Sequence, residues 1–142
     1  MTHDLPAPAV LQLRLVVETD DFDQAVAFYR DALGLPEQAA FEGADDARVV
    51  ILDAGRATLE IVNPAQRRMI DGIEVGHDAS PTIRVAFEVA DARATTAKLT
   101  SAGATLIGAP DETPWRSLNS RLDAPAGLQV TVFQELGSAP AV

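Results

Sequence analysis

One short pattern occurs twice in this chain, and this repeat constrains the fold more than any other feature of the sequence. Arg14 and Arg84 lie seventy residues apart, each in a segment where apolar residues alternate with other residues. Each arginine is followed four residues later by a glutamate and seven residues later by an aspartate that opens a segment with helical spacing. Equal spacing along two strands indicates a duplicated βα module whose arginines face one shared surface. The repeated acidic residues are Glu18 and Glu88, and Asp21 and Asp91.

Both halves of the chain predict a β-α-β-β-β module. In each half an aspartate is a predicted N-cap, a glycine ends the predicted helix, and an Asp-Ala turn with a glycine joins two strands. A chance resemblance between two helix-then-strand segments is the alternative, and it accounts less well for these shared spacings. The predicted strands are 12–19, 49–52, 57–62, 82–89, 105–107, 117–122 and 128–133, and the predicted helices are 22–33 and 92–102. We expect one α+β domain over 1–142, with module one at 10–63, a connector at 64–81 and module two at 82–135.

Length and composition restrict the classes of function. The 142 residues suffice for one domain with its own core, and the lack of cysteine excludes disulfides and thiolate metal sites. A formal charge of −10 argues against binding to nucleic-acid phosphates, which needs clustered Lys and Arg. No apolar run reaches the roughly 20 residues of a membrane span, and the loose leader 1–8 lacks the order of a signal peptide. We therefore expect a cytoplasmic protein with neither a nucleic-acid nor a membrane partner.

Three segments together carry a family resemblance. They are Asp-Phe-Asp-Gln-Ala-Val-Ala-Phe-Tyr-Arg-Asp-Ala-Leu-Gly-Leu at 21–35, Ala-Phe-Glu-Val at 86–89 with Asp91, and Leu-Asp-Ala-Pro-Ala-Gly at 122–127. They resemble the vicinal-oxygen-chelate superfamily, which includes glyoxalase I, extradiol dioxygenases and bleomycin-resistance proteins. The resemblance extends over 10–135. It implies two tandem β-α-β-β-β modules whose mixed sheet forms a cup, and it implies a homodimer.

The resemblance also implies four positions for metal ligands in the cup, and three of them are changed here. Arg14 and Arg84 stand where histidine is usual, Thr131 stands where glutamate is common, and Glu60 keeps its place. A guanidinium is always protonated and has no lone pair for a metal, and threonine is a weak neutral ligand. The two histidines of the chain, His3 in the leader and His77 in the connector, lie off the predicted cup strands. We therefore expect no metal and no cofactor.

The residues leave two roles open for the arginines. Glu60 is expected near Arg14, Arg84 or both, because a buried carboxylate needs a partner and a guanidinium supplies two hydrogen bonds. The group is either a structural ion-pair network, or it leaves one guanidinium to bind a carboxylate, phosphate or carbonyl of a ligand. Glu18 and Glu88 stand about 13 Å along their strands and are expected to be solvated at the rim. The predicted cup-lining residues are Gln12, Arg14, Glu60, Arg84, Trp115, Gln129, Thr131 and Phe133.

Trp115 lies in a predicted Pro-rich loop, where it either covers the end of the core or stacks on a ligand at the cup mouth. The leading functional interpretation is metal-independent binding of an organic small molecule with an anionic or carbonyl group, as in bleomycin-resistance-type proteins that bind antibiotics. One alternative is an enzyme: a lyase, isomerase or dioxygenase with displaced metal ligands, or a metal-free catalyst with Glu60 as base and arginine as stabiliser. His77 is a further candidate base. A third interpretation is a degenerate module that serves assembly alone.

Overall fold

The two predicted β-α-β-β-β modules are present, and they join into one eight-stranded mixed sheet. The computed structural model describes residues 8–137; most of the predicted leader, with His3, lies outside the described residues. The strands are β1 (Val10–Glu18), β2 (Glu37–Glu42), β3 (Arg48–Ala54), β4 (Ala57–Val62), β5 (Ile83–Val89), β6 (Thr105–Glu112), β7 (Ser117–Asp123) and β8 (Gln129–Glu135). The helices are α1 (Phe22–Val26), continued by a π-helical segment (Ala27–Ala32), α2 (Pro64–Glu74) and α3 (Ala92–Ser101). Short 3-10 turns lie at Ala44–Asp46 and Pro125–Gly127.

The first strands of the two modules pair at the centre of the sheet. The strand order is β2-β3-β4-β1-β5-β8-β7-β6, and β1 runs antiparallel to β5 with Arg14 opposite Ala86 and Val16 opposite Arg84. Because side chains alternate along a strand, these four residues share one face of the sheet. The modules therefore pair within one chain, and the pairing brings the two repeated arginines together.

The repeated aspartates and glycines have the capping roles that the sequence predicts. Asp21 accepts a hydrogen bond from the amide of Gln24 at 3.2 Å, and Asp91 accepts one from the amide of Ala94 at 3.0 Å. Gly103 follows α3 with a φ of 111°, a conformation that is cheap only for glycine. The same local signals thus begin and end the helix of each module.

The outward faces of the strands form two cores under α1 and α3. Under α1 the buried residues are Phe22, Val26, Val50, Leu52 and Ile61. Under α3 they are Val89, Ala92, Leu118, Leu122, Val130 and Val132. A side chain such as Leu52, which is fully buried, contributes roughly 1.5 to 3 kcal/mol to stability. With α1 and α3 holding this face, the opposite face of the sheet is left for the site.

Two edge strands differ from the sequence prediction. The sequence analysis predicts no strand over Glu37–Glu42, but β2 forms there and pairs with β3. The predicted strand at 105–107 continues as β6 through Pro110 to Glu112, with two register shifts, although this stretch was predicted as a loop. An edge strand tolerates proline and register shifts, because one row of its amide groups needs no partner in the sheet. None of the helices within 8–137 is long and apolar enough to cross a membrane.

The connector forms the helix α2, which lies on the face of the sheet opposite α1 and α3. Arg121 of β7 is fully buried and donates to Asp71 at 3.0 Å and to Glu74 at 2.9 Å. Arg121 also donates to the side chain of Gln129 at 2.9 Å and to the hydroxyl of Ser80 at 2.7 Å. A buried charge is tolerated when it is paired and hydrogen-bonded in this way. We call Arg121, Asp71 and Glu74 the anchor of α2.

Gly108 of β6 permits the close approach of α2. A Cβ at this position would lie 2.3 Å from the carbonyl oxygen of Glu74 and 3.3 Å from the Cβ of Arg121. Any side chain would therefore push the end of α2 away from the sheet. The anchor and Gly108 together place α2 against the second module.

We expect Gly108→Ala to lower the free energy of unfolding by about 1 to 3 kcal/mol, because the added methyl group clashes with backbone. The matched control is Gly72→Ala on α2, where a new Cβ meets nothing within 4 Å. Alanine favours a helix over glycine by about 1 kcal/mol, so the control is expected to be neutral or more stable. Urea denaturation measures both variants. Equal stability of the two would contradict the close approach of α2 to β6.

We expect Asp71→Asn to lower the free energy of unfolding by about 3 kcal/mol at neutral pH, since it breaks a buried ion pair. Burial by itself raises the pKa of Asp71, but hydrogen bonds from Ala79, Ser80 and Arg121 outweigh it and hold the pKa below its ordinary value of 3.8. The folded state thus binds the proton less well than the unfolded state. The contribution of the carboxylate is therefore complete above pH 3.8 and is lost as the pH falls below it. Urea denaturation at a series of pH values should show the gap between wild type and variant narrowing in acid; a constant gap would contradict the ionised anchor.

Candidate functional site

A cavity of about 350 Å³ opens on the face of the sheet that carries the two arginines. Side chains from seven of the eight strands line it, so the sheet curves around it as a cup. Its apolar wall consists of Val16, Ala39, Val49, Ile51, Met69, Ile70, Ala86 and Phe133. Its polar groups include Arg14, Glu60, Glu74, Arg84, Ser117, Asn119 and Thr131. Phe41 and Trp115 line the same cavity while remaining 62% and 45% exposed, which places them at its mouth.

Arg14 and Glu60 form an ion pair in the wall of the cup. The Arg14 guanidinium lies 3.4 Å from the Glu60 carboxylate and 4.9 Å from the centre of the Phe133 ring. Its Nε donates to the side-chain oxygen of Gln12 at 2.7 Å. The single glutamate of the predicted group is thus taken by the first arginine. Gln12 orients that arginine through this hydrogen bond.

Arg84 has no such partner in the described part of the chain. It is 7% exposed and donates from Nη1 to the hydroxyl of Thr131 at 2.6 Å. Within residues 8–137, no carboxylate lies within the 4.0 Å ion-pair distance of Arg84. Burial lowers the pKa of Arg84 and nearby Arg121 lowers it further, while Glu74, Glu60 and Asp71 raise it. An arginine remains charged in proteins, so a cation with one neutral hydrogen-bond partner faces the cavity.

Helix α2 supplies one wall that the sequence analysis did not foresee. Gln66, Met69, Ile70 and Glu74 line the cavity, and Glu74 accepts a hydrogen bond from Asn119 at 2.9 Å. The sequence predicted a connector at 64–81 with possible helical spacing at 67–73, but no contribution to the cup. Two features of the sequence could have predicted this helix. Asn63-Pro64 is a typical helix start, and residues spaced three to four apart form one buried face.

Gln12 and Gln129, both predicted to line the cup, are not among the residues that line the cavity. Gln12 accepts hydrogen bonds from Arg14 and from the hydroxyl of Thr58. Gln129 accepts from Arg121 and donates to the carbonyl of Ala79 at 3.1 Å. Both amides are used by neighbouring side chains and backbone, which withdraws them from the cavity. The other six predicted residues, Arg14, Glu60, Arg84, Trp115, Thr131 and Phe133, line it together.

The acidic residues four positions after each arginine are not simply solvated. Glu18 accepts from Arg67 of α2 at 3.1 Å, a partner in the connector that strand spacing alone does not reveal. Glu88 is half-buried, and burial followed by repulsion from Glu135 raises its pKa. His77 was a candidate base beside Glu60. It is exposed next to the carbonyl of Asp78 and does not line the cavity.

The residues present do not fit the metal ion that the superfamily resemblance implies. Arg14, Glu60, Arg84 and Thr131 do line one cavity, as the four ligand positions should. Two of them are guanidinium groups with no lone pair, and the Glu60 carboxylate is engaged by Arg14. In the described part of the chain, no three His, Cys, Asp or Glu side chains converge as a metal site. A neighbouring arginine pair would also repel a divalent cation.

Solved structures share this fold. The methylmalonyl-CoA epimerase of Mycobacterium tuberculosis is 20% identical, with 97% of this chain and 95% of that chain covered and a TM-score of 0.63. A variant of the Streptomyces coelicolor methylmalonyl-CoA epimerase in complex with 2-nitronate-propionyl-CoA is 17% identical, with 91% and 98% covered and a TM-score of 0.61. A glyoxalase/bleomycin resistance protein/dioxygenase superfamily member from Vibrio splendidus 12B01 is 12% identical, with 87% and 97% covered and a TM-score of 0.60. Identities this low show the fold alone.

A comparison of the sequence with curated proteins finds no match, whereas a comparison with protein families does. The family model described as "Glyoxalase-like domain" matches residues 14–133, from the first arginine of the repeat to the phenylalanine beneath it in the cup. That match extends over most of the chain and includes both modules. The chain therefore belongs to the glyoxalase-like domain family.

Proposed function

We propose that this chain binds a small organic molecule in the cup without a metal, and that Arg84 donates hydrogen bonds to an oxygen of that molecule. The observation that carries the proposal is the state of Arg84, which is 7% exposed and donates only to the Thr131 hydroxyl among the described residues. The other N–H groups of Arg84 are not buried without a partner, because Arg84 lines the open cavity. A carbonyl or carboxylate oxygen of a ligand in the cavity accepts hydrogen bonds from them. The resemblance to bleomycin-resistance-type proteins supports the same function.

The size and lining of the cavity agree with this proposal. Small-molecule sites enclose about 300 to 1,000 Å³ and combine apolar walls with a few placed polar groups. Here about 350 Å³ lies between apolar side chains of the sheet and of α2, with Arg84 and Thr131 on one wall. Trp115 at the mouth has room to stack on a ligand, the second of its two predicted roles.

A second candidate function is proton abstraction beside a carbonyl group. Glu60 and Arg84 line one cavity, so a bound carbonyl compound would meet a carboxylate base and a cationic donor together. Glu60 would remove the proton from the adjacent carbon, and Arg84 would stabilise the negative charge that forms on the oxygen. The similarity of the fold to epimerases named for methylmalonyl-CoA supports a carbonyl compound as substrate.

The homodimer and the cytoplasmic location expected from the sequence remain part of this proposal. Leu13, Leu15 and Ile83 alternate with the cup residues and therefore point to the opposite face of the sheet. They are 39%, 37% and 55% exposed, so an apolar strip crosses the central strands between α1 and α3. Such a strip supports association with a second chain.

Native mass spectrometry of the purified protein, with elemental analysis, is expected to detect an organic ligand and no stoichiometric metal. Arg84→Met should weaken binding of that ligand about 10-fold to 100-fold, the worth of one or two hydrogen bonds to a charged group. The control Arg93→Met removes an equal charge from an exposed position on α3. Stoichiometric metal whose chelation abolishes binding would contradict the proposal, as would equal affinities of the two variants.

Glu60→Gln separates the two candidate functions. If the protein only binds its ligand, the variant keeps binding, and neither protein exchanges ligand protons with solvent. If Glu60 is a base, the wild type incorporates deuterium from D₂O beside the carbonyl, and the variant loses at least about 100-fold of that rate, a common worth of acid–base catalysis. Proton NMR of the retained ligand in D₂O measures the exchange. Exchange that survives in Glu60→Gln would exclude Glu60 as the base.

A further inference from the structure

We infer that the cup selects a neutral carbonyl head group, such as a carboxamide, over a carboxylate or a phosphate. This inference rests on the proposed binding function and narrows its ligand to one chemical class. An unpaired arginine by itself favours an anion. Whether an anion or a neutral group binds therefore depends on the other charges around Arg84.

The charges nearest to Arg84 already balance. Arg14 pairs with Glu60, and Arg121 pairs with both Asp71 and Glu74. Arg121, Glu74, Glu60 and Asp71 all act electrostatically on Arg84. With Arg84 as the third positive charge, three guanidinium groups face three carboxylates. A fourth guanidinium, that of Arg67, lies 3.7 Å from Asp71 but is itself paired with Glu18 and Asp78. A neutral ligand preserves this balance, whereas a bound anion adds an unmatched negative charge in a partly desolvated site.

The cavity surface itself carries an excess of negative charge. Two arginines line it, Arg14 and Arg84, against four glutamates. Glu60 and Glu74 belong to the inner wall, and Glu42 and Glu135 lie nearer the rim, where both are exposed. An anion that enters to reach Arg84 passes these carboxylates. The whole chain, at −10, adds repulsion of the same sign.

A carboxamide matches both kinds of polar group in the cavity. Its oxygen accepts from the Arg84 guanidinium, which has donors to spare beyond the bond to Thr131. Its N–H groups donate to a carboxylate oxygen. Glu60 lines the same cavity, and among the described residues only one of its two oxygens, Oε1, accepts a hydrogen bond. A carboxylate has no N–H to offer these oxygens and repels them instead. The lining is therefore complementary to a group that both accepts and donates.

Naphthamide and naphthoate test this inference, because they share one ring system and differ in the head group alone. Trp115 is the only tryptophan of the chain and lines the cavity, so its fluorescence reports binding, and calorimetry confirms it. We expect naphthamide to bind at least about tenfold more tightly than naphthoate, a difference of about 1.4 kcal/mol. The preference should persist in about 1 M NaCl, where the screening length is about 3 Å and repulsion from the distant surface is removed.

Glu60→Gln and Asp123→Asn separate the cavity charge from the charge of the whole chain. Each removes one negative charge, but Asp123 is exposed at the end of β7 and does not line the cavity. Glu60→Gln should improve naphthoate binding relative to naphthamide about tenfold, while Asp123→Asn should leave the ratio unchanged. An unchanged ratio in Glu60→Gln would overturn the inference.

The two proposals fail in different ways. Equal or tighter binding of naphthoate by the wild type overturns the selection for a neutral head group and leaves binding in the cup intact. If neither probe changes Trp115 fluorescence or releases heat, the proposed binding function fails, and the inference that rests on it fails too. Tighter binding of naphthamide that Arg84→Met abolishes supports both.

Discussion

The buried guanidinium of Arg121 is the interaction on which the arrangement of the site depends. Its charge is stable at full burial only because Asp71 and Glu74 of α2 come to it, and α2 is thereby held across the second module. In the first module the equivalent position is Ile51, since Ile51 lies opposite Glu60 as Arg121 lies opposite Thr131. The second module therefore holds α2 through a buried ion pair, at a position where the first module has an apolar side chain.

A similar asymmetry separates the two repeated arginines. Two residues after Arg14, Val16 lies opposite Glu60, and two residues after Arg84, Ala86 lies opposite Thr131. The duplicated backbone thus presents a carboxylate to one arginine and a hydroxyl to the other. Arg14 becomes part of an ion pair, whereas Arg84 keeps unused donors. Of the two roles that the residues left open, the structural one falls to Arg14, and the ligand-binding one is our proposal for Arg84.

Much of the fold could be predicted from the sequence, because it depends on local signals. Alternating apolar residues predicted the strands that carry Arg14 and Arg84, and the capping aspartates and glycines predicted where α1 and α3 begin or end. The edge strands β2 and β6 were less predictable. Neither has a strong alternating pattern, and a proline inside β6 argues for a loop until the pairing with β7 is seen.

Residue spacing and side-chain type were enough to predict the duplicated modules, the shared face of Arg14 and Arg84, and the replacement of three of the four ligand positions that the resemblance implies. The folded structure established which arginine is paired, that Gln12 and Gln129 do not line the cavity, and that α2 forms one side of the cup. These outcomes depend on contacts between residues more than forty positions apart. Strand and helix periodicity do not predict such contacts. They form because α2 packs against β7 and β1 pairs with β5.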